Sequence, residues 1–341
     1  MKVGVHKTKD SFSDRWIDHM KANGIEYKIV DAYSNDIVNE LADCDFFMWH
    51  VHQGNYKDKL FAKQLLFSLQ LSGKRVFPDM NTVWHFDDKV GQKYLLESIN
   101  APLVSTYVFY TKQEARSWVE KASFPKVFKL RGGAGASNVK LVKSRREAVS
   151  IVNKAFGRGF PVYDKIGSLK ERWRKYRCGK TDVFDVLRGV VRLFVTTPLA
   201  RILGRDKGYV YFQDFIENNT FDIRIIIVGN KAFAIKRMNR ENDFRASGSG
   251  SIIYEKSQID ERCVKIAFEI NKRLQNQSIA FDFVFDSANN PLIIEISFGF
   301  VPTAYDKCQG YWDTNMDWHE GSFSPQGWMV DDLIEGYMYG N

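Results

Sequence analysis

The 341-residue sequence contains only 4 cysteines, and they are widely separated along the chain. Neither the cysteines nor any cysteine–histidine cluster has the spacing of a zinc site, and no disulfide framework is indicated. Reduced thiols are typical of the cytoplasm, so we predict a cytoplasmic protein. The sequence also lacks an uncharged apolar run of about 18 residues, which excludes a membrane-spanning helix. Charges in the first ten residues argue against a signal peptide.

Positive charge is concentrated in one segment of the chain. The formal net charge is +8, and residues 161–208 supply most of it, with 12 Lys and Arg against 5 Asp and Glu. No zinc-finger or RNP motif accompanies this basic segment, so we predict no nucleic-acid partner. Hydrophobic residues make up 44% of the chain and aromatic residues 14%, which is typical of a soluble globular protein.

Strand and helix patterns alternate in the N-terminal region. Short apolar segments follow one another with amphipathic helical segments between them; they lie at 3–5, 26–30, 46–49 and 75–77. This alternation predicts a parallel sheet with crossover helices. Functional residues of such sheets lie at the carboxyl ends of the strands. His50, His52 and Gln53 follow the third strand and are candidate substrate contacts, with a solvated polar loop as the alternative.

A glycine-rich run at 131–137 joins two short strands, 126–129 and 139–142. The two common glycine-rich phosphate motifs are excluded, because the P-loop spacing is absent and no GxGxxG opens a helix. The run predicts a β-hairpin whose tip lays backbone N–H groups against an anion. A flexible turn without a ligand is the alternative.

The C-terminal part is predicted to be rich in strands, with hairpins at 221–236 and 279–296. Each strand of the second hairpin is interrupted by a carboxylate, Asp282 in one and Glu295 in the other. A carboxylate within an apolar strand is unfavourable unless a cation pairs with it. The two together predict a Mg²⁺ site that also holds phosphates. The alternative is that both lie on the solvated face of a half-buried sheet.

The order of these features resembles the ATP-grasp superfamily of carboxylate–amine ligases, relatives of D-alanine–D-alanine ligase and glutathione synthetase. The resemblance extends to about Gly299 and rests on the joint order of motifs that are weak alone. It implies a mixed α/β and α+β ATP-grasp fold with ATP and Mg²⁺ as cofactors. The implied domains are an N-terminal α/β domain at 1–100, a lid subdomain at 101–212 with the basic insertion 161–208, and a C-terminal subdomain at 213–341.

The resemblance also implies roles for individual residues. Nucleotide contacts are implied for Lys89, Lys129, Gly132, Gly133, Gly135, Gln213, Asp214, Phe215, Ile216 and Asp222. Catalytic roles near the γ-phosphate are implied for Arg237 and Arg245, and metal ligation for Asp282, Glu295 and Ser297. In these roles the lysines bind phosphate, the glycines close over it, the backbone of 213–216 faces adenine and Asp222 binds the ribose.

Three of these assignments have alternatives. The alternatives are that Arg237 is a surface strand residue and that Asp222 is an ion-pair partner of Arg224. Ser297 stands where the family usually has an asparagine, which leaves altered metal use or a degenerate enzyme as alternatives. Because Lys129, both arginines and the two carboxylates are retained, an active enzyme is favoured.

The implied activity is ATP-dependent conversion of a carboxylate into an acyl phosphate, which an amine converts into an amide. The aromatic-rich tail after Gly299 resembles that of ATP-grasp proteins associated with bacterial surface-polysaccharide synthesis, so a carboxylated sugar or glycan precursor is the first candidate substrate. The tail aromatics either line a sugar pocket or pack on the core. An amino-acid or peptide ligase and a nucleotide-binding scaffold without catalysis are the alternative functions.

The basic insertion contains a second pattern, apolar residues at helical spacing between Val183 and Phe194 with Pro198 beyond them. The pattern predicts an amphipathic helix that ends before the proline. Three partners for its apolar face stay open. They are an anionic membrane surface, which would place the protein at the inner face of a membrane, a second copy in a homodimer, and the lid itself.

Overall fold

The N-terminal region forms a parallel sheet, as predicted. The computed structural model describes residues 1–336 except 10, 134–137, 178, 180, 196–197, 241–242, 247 and 249. The first elements are β1 (Lys2–His6), α1 (Phe12–Ala22), β2 (Glu26–Val30), α2 (Ile37–Glu40), β3 (Phe46–Trp49), α3 (Tyr56–Leu71), β4 (Arg75–Phe77) and α4 (Met80–Val83). The strand order is β2-β1-β3-β4, with every pair parallel. Ser11 caps α1, which buries Phe12, Trp16 and Met20.

The middle of the chain forms a small antiparallel sheet with the basic insertion beside it. Its elements are α5 (Lys89–Ser98), β5 (Thr106–Phe109), α6 (Lys112–Lys121), β6 (Lys126–Lys129), β7 (Val139–Val142), α7 (Arg145–Ala155), β8 (Phe160–Pro161), α8 (Lys165–Arg177), α9 (Val183–Phe194), α10 (Pro198–Leu203), β9 (Arg205–Asp206) and β10 (Val210–Asp214). The strand order is β5-β10-β6-β7, so β6 and β7 form the predicted hairpin.

The insertion begins and ends with the short paired strands β8 and β9. Between them α8 and α9 pack as a helical hairpin, and α10 lies against α3 of the N-terminal region. The prediction from Pro198 is confirmed, because α9 ends at Phe194 and a separate helix begins at the proline.

The C-terminal region is built on the largest sheet. Its elements are β11 (Phe221–Val228), β12 (Lys231–Met238), β13 (Ile252–Ile253), α11 (Glu261–Leu274), β14 (Ser278–Phe285), β15 (Pro291–Ser297), β16 (Gly310–Asp313), β17 (Trp318–Glu320) and α12 (Pro325–Glu335). The order is β15-β14-β11-β12-β16-β17, with β13 beside β12. Both predicted hairpins, β11–β12 and β14–β15, are present.

The two faces of this sheet belong to different hydrophobic cores. Residues such as Ile226 and Phe233 join one continuous core with the N-terminal sheet. Ile225 and Phe281 face the opposite side, where they pack with α11. The antiparallel sheet of the lid has a third core of its own. Among the described helices, none combines the length and the apolar character needed to cross a membrane.

Candidate active site

A cavity of about 770 Å³ lies between the three regions of the fold. Of the fifteen site residues predicted from sequence, thirteen line it: Lys89, Lys129, Gly133, Gln213, Asp214, Phe215, Ile216, Asp222, Arg237, Arg245, Asp282, Glu295 and Ser297. Gly132 is not in its wall, and Gly135 lies outside the described residues. His50, His52 and Gln53 line it as well, from the carboxyl end of β3. The fold therefore brings together residues that are distant in the sequence.

A row of charged side chains crosses four strands of the C-terminal sheet at the cavity. Strand register pairs Asp222 of β11 with Arg237 of β12, and Arg224 of β11 with Asp282 of β14. Asp282 is in turn opposite Glu295 of β15. Residues two apart on a strand share a face, so Asp222 and Arg224 point the same way. We call these five residues the charged row. Two of its cross-strand pairs, Asp222–Arg237 and Arg224–Asp282, have opposite charges, whereas Asp282 and Glu295 have the same charge.

Asp282 is held by two guanidinium groups. Nη1 of Arg224 donates to both Asp282 carboxylate oxygens at 3.0 and 3.1 Å, and Nη2 of Arg237 lies 3.0 Å from Oδ1. Burial raises the pKa of Asp282, but the two arginines outweigh burial and hold that pKa below its usual value. The Asp282 residue is only 7% exposed. The alternative of a solvated face is therefore wrong for this carboxylate.

Arg237 also binds Asp222. Its Nε and Nη2 donate to the two oxygens of Asp222 at 2.6 and 2.7 Å. The side chain of Arg237 is 11% exposed, so the alternative of a surface strand residue is wrong. Asp222 pairs chiefly with Arg237 rather than with Arg224. Ribose binding by Asp222 stays a prediction, because the contact that the structure shows orients Arg237.

Two buried lysines enter the cavity from the other regions. Lys89, at the start of α5, lies with Nζ 3.0 Å from Oε1 of Glu295 and donates to the carbonyl of Gly133 at 2.8 Å. Burial lowers the pKa of Lys89, but the carboxylates of Glu295 and Asp87 raise it by more. Lys129 ends β6, and burial lowers the pKa of its ammonium to about 8 although Glu295 opposes the shift.

A β-bulge at Ile294 links this charged row to the lid. The register of β14 and β15 shifts after Asp282, so Ile294 has no opposite partner. Its carbonyl accepts from Nζ of Lys129 at 3.5 Å and from Nε2 of Gln213 at 3.4 Å. Bulges of this kind recur beside active sites because they redirect a backbone group.

The lid and the C-terminal sheet both contribute apolar side chains to the cavity, and we call this part of its wall the apolar slot. Val127 and Val139 line it from the lid, and Val284 and Ile294 from the C-terminal sheet. Phe215, in the predicted hinge, also lines the cavity, with its ring 5.6 Å from that of Phe244. A flat aromatic ring suits such a slot.

The cavity thus combines an apolar slot with a cluster of buried cations and carboxylates, and known proteins share this arrangement of elements. Residues 196–310 match the family model of the RimK-like ATP-grasp domain. D-alanine–D-alanine ligase from Bacillus anthracis, complexed with ATP, superimposes with a TM-score of 0.59 at 14% identity over 99% of this chain and 98% of the ligase. The chain has the ATP-grasp fold.

Two further solved structures agree with this assignment. D-cycloserine synthetase DcsG gives a TM-score of 0.60 at 12% identity over 99% of this chain and all of the synthetase. A RimK domain ATP-grasp protein from Sphaerobacter thermophilus gives 0.55 at 14% identity over 98% of this chain and all of that one. No curated protein matches the sequence. The predicted ATP-grasp fold is confirmed, and the family match places an ATP-grasp domain of the RimK-like type at residues 196–310.

The glycine-rich loop is anchored at its start. The N–H of Gly133 donates to Oδ1 of Asp87 at 2.7 Å, and Arg131 binds Asp88 through Nη2 at 2.5 Å. Gly133 has a φ of 120°, where a side chain would be strained. Of the predicted phosphate contacts only Gly135 falls in residues 134–137, which lie outside the described residues.

The donors for the predicted metal fit a magnesium ion. Oδ2 of Asp282 takes one of the Arg224 bonds only, Oε1 of Glu295 faces Lys89, and the Ser297 hydroxyl donates to the carbonyl of Gly299. Oxygen donors from two carboxylates and a hydroxyl match Mg²⁺, which keeps several waters and binds phosphates. In the described part of the chain, no cluster of three His, Cys, Asp or Glu forms a richer metal site.

His50 is buried at the far wall of the cavity. It is 8% exposed, and its Nδ1 accepts from the N–H of Phe12 at 3.1 Å, so the neutral ring carries its proton on Nε2. Burial, and the neighbouring His52, lower the pKa of His50 to about 3. A neutral imidazole therefore presents a fixed N–H donor beside Gly299. The alternative of a solvated loop is wrong for this residue.

The aromatic tail mostly packs on the core, which overturns the sugar-pocket interpretation for its tryptophans. Trp312 is 1% exposed and packs against Trp318, while Trp328 stacks on Phe323. From the tail, Tyr305 does reach the cavity.

Sequence reasoning missed the part played by Arg224. Its guanidinium joins β11 to β14 through Asp282 and reaches the carbonyl of Gly299 at 3.4 Å. Its Nε is buried and has no hydrogen-bond partner among the described residues. The period-two spacing of Asp222 and Arg224 was the available signal, since it places both on one face of the strand.

Proposed function

We propose that this protein activates a substrate carboxylate with ATP and joins the acyl group to an amine. The observation that supports this most is the single cavity in which Lys89 and Lys129 meet Arg237, Asp282 and Glu295. Phosphoryl transfer needs positioning and neutralisation of charge more than it needs a protein nucleophile. Those five side chains supply both.

The nucleotide is proposed to bind between the lid and the C-terminal sheet. The apolar slot takes the adenine, with the backbone of 213–216 at its edge. Lys129 and Lys89 then lie where the triphosphate would extend toward the charged row. Glu295, Asp282 and Ser297 would hold Mg²⁺, which neutralises charge on the phosphates.

The proposed reaction has two steps, and neither step needs a protein nucleophile. An oxygen of the substrate carboxylate attacks the γ-phosphorus, the bond to the bridging oxygen breaks and ADP leaves. The amine nitrogen then attacks the acyl carbon, phosphate departs with the electrons of the C–O bond, and the amine loses a proton. Arg237 and Arg245 stabilise the negative charge that moves during both steps.

For the acid itself, two classes are proposed. A carboxylated sugar or glycan precursor, as in surface-polysaccharide synthesis, is supported by polar and aromatic groups at the far end of the cavity, His50, Gln53 and Tyr305. An amino acid is supported by the structural neighbours, because a D-alanine–D-alanine ligase and a D-cycloserine synthetase are among them. Because the tail tryptophans pack in the core, we favour an amino acid as the substrate. A cytoplasmic location stays a prediction.

The test is ADP formation by the full chain with Mg²⁺ and a panel of acids, uronic-acid nucleotide sugars and amino acids, each offered with a panel of amines. We expect turnover that depends on both the acid and the amine. Glu295→Gln should abolish it, whereas Glu320→Gln, an exposed carboxylate away from the cavity, should not. Binding of ATP without turnover across the panel would instead favour the scaffold without catalysis.

A further inference from the structure

Exposed apolar side chains are concentrated in the insertion. Among the described residues, ten of the nineteen large hydrophobic side chains that are exposed lie between residues 173 and 202. Six of them form one surface of α9, which we call the α9 face: Val183, Phe184, Leu187, Val190, Val191 and Phe194. Phe194 is 84% exposed. The RimK-like match begins after this helix, at residue 196, so the family model does not account for the α9 face.

The geometry of α9 separates this face from its packed side. At about 100° per residue, the six side chains cover an arc of about 120°. Gly189 lies nearly opposite the centre of this arc and Val186 lies beyond one edge of it, and both are buried. A side chain at Gly189 would meet Arg172 of α8, and Arg172 also binds Asp185. The helix is therefore anchored on α8 by one side while the α9 face points to solvent. Packing of that face on the lid is excluded.

Positive charge borders the α9 face. Arg188 lies about 40° beyond one edge of this face and Arg192 about a further 40° round the helix, and both are exposed. The insertion as a whole carries twelve Lys and Arg against five Asp and Glu. Two of those acids are engaged locally, since Asp185 binds Arg172 and Asp182 caps α9. The outward charge is thus predominantly positive.

We propose that the α9 face binds an anionic lipid surface, with its apolar side chains at the acyl boundary and the arginines at the headgroups. An apolar arc bordered by arginines is the pattern of helices that lie in a membrane interface. A homodimer through the same face is disfavoured by charge. A two-fold contact brings the same surface of both copies together, so the excess positive charge of the insertion would be repeated on both sides of the contact.

The test is co-sedimentation of the full chain with vesicles of phosphatidylglycerol and phosphatidylcholine. We expect binding at low salt, release at high salt as the charges are screened, and little binding to pure phosphatidylcholine vesicles. Replacing Arg188 and Arg192 together with glutamine should reduce partitioning roughly tenfold or more. Failure of the intact protein to bind anionic vesicles at low salt would overturn the proposal.

A triple variant, Phe184→Ser, Leu187→Ser and Phe194→Ser, should abolish binding. Phe67→Ser is the matched control, because Phe67 is 51% exposed on α3 outside the insertion. ATP binding and circular dichroism of the triple variant should match those of the intact chain, which shows that it is folded. Vesicle binding that survives the triple variant would overturn the proposal. So would sedimentation velocity showing a dimer that the triple variant dissociates.

Discussion

The charged row and the α9 face use arginine in opposite ways. In the charged row, Arg224 and Arg237 are buried and bind the carboxylates of Asp222 and Asp282. On α9, the arginines are exposed, and so are the apolar side chains of the α9 face. A buried charge must be paired within the fold, because desolvation otherwise destabilises it by several kcal/mol. An exposed apolar face contributes little to the stability of the fold, so the residue types on such a face are determined by what binds there.

The largest expected effect of a single substitution is at Asp282. Asp282→Asn leaves Arg224 and Arg237 buried without their shared counter-charge, so we expect a loss of about 3–5 kcal/mol in the free energy of unfolding. Urea unfolding followed by tryptophan fluorescence measures it. The matched change on α9, Arg188→Gln, should alter stability by less than about 0.5 kcal/mol. Equal effects at the two positions would contradict the comparison.

A second substitution should separate stability from ATP binding. Burial lowers the Lys129 pKa from 10.5 to about 8, so the charged lysine destabilises the fold at neutral pH, and that penalty disappears as pH rises from the folded toward the unfolded pKa. Lys129→Met should therefore raise the free energy of unfolding at neutral pH by up to about 3 kcal/mol. ATP binding should be lost because the phosphate cation is gone.

Thermal and urea unfolding at neutral pH and near the unfolded pKa, with calorimetry for ATP, check this prediction. Lys21→Met is the control, since Lys21 is exposed on α1. If Lys129→Met is no more stable at neutral pH, or still binds ATP, Lys129 is not a buried phosphate cation.

The same pKa predicts the pH dependence of nucleotide binding. Lys129 carries its charge below about pH 8 and loses it above. Because the triphosphate needs the charged form, the Kd for ATP should rise by up to tenfold for each pH unit above about 8. Calorimetry in two buffers of different ionisation enthalpy should show proton uptake on binding. Lys129→Arg keeps its charge, so it should lack this component; an unchanged slope would assign the titration elsewhere.

The smallest effect is expected on the α9 face. Phe194→Ala should change the free energy of unfolding by less than about 0.5 kcal/mol, because the ring is already in solvent. Phe212→Ala, in the lid core at 0% exposure, should lose about 3–5 kcal/mol. A large loss from Phe194→Ala would show that the ring packs within the fold.

Much of the architecture could be predicted from local pattern. The parallel N-terminal sheet and the β6–β7, β11–β12 and β14–β15 hairpins follow from alternation and turn residues, which act over a few positions. The break between α9 and α10 follows from Pro198. The tail was less predictable, because whether Trp312 and Trp328 line a pocket or pack on the core depends on distant elements.

Residue type and order along the chain determined which side chains are candidates for phosphate and metal chemistry, since a carboxylate or lysine in an apolar strand already signals a partner. The partners themselves were decided by tertiary structure. Only the register of β11 between β12 and β14 pairs Asp222 with Arg237 and Arg224 with Asp282. Only packing buries Lys129 and His50 enough to shift their pKa values, because desolvation depends on every element around a group and not on its sequence neighbours.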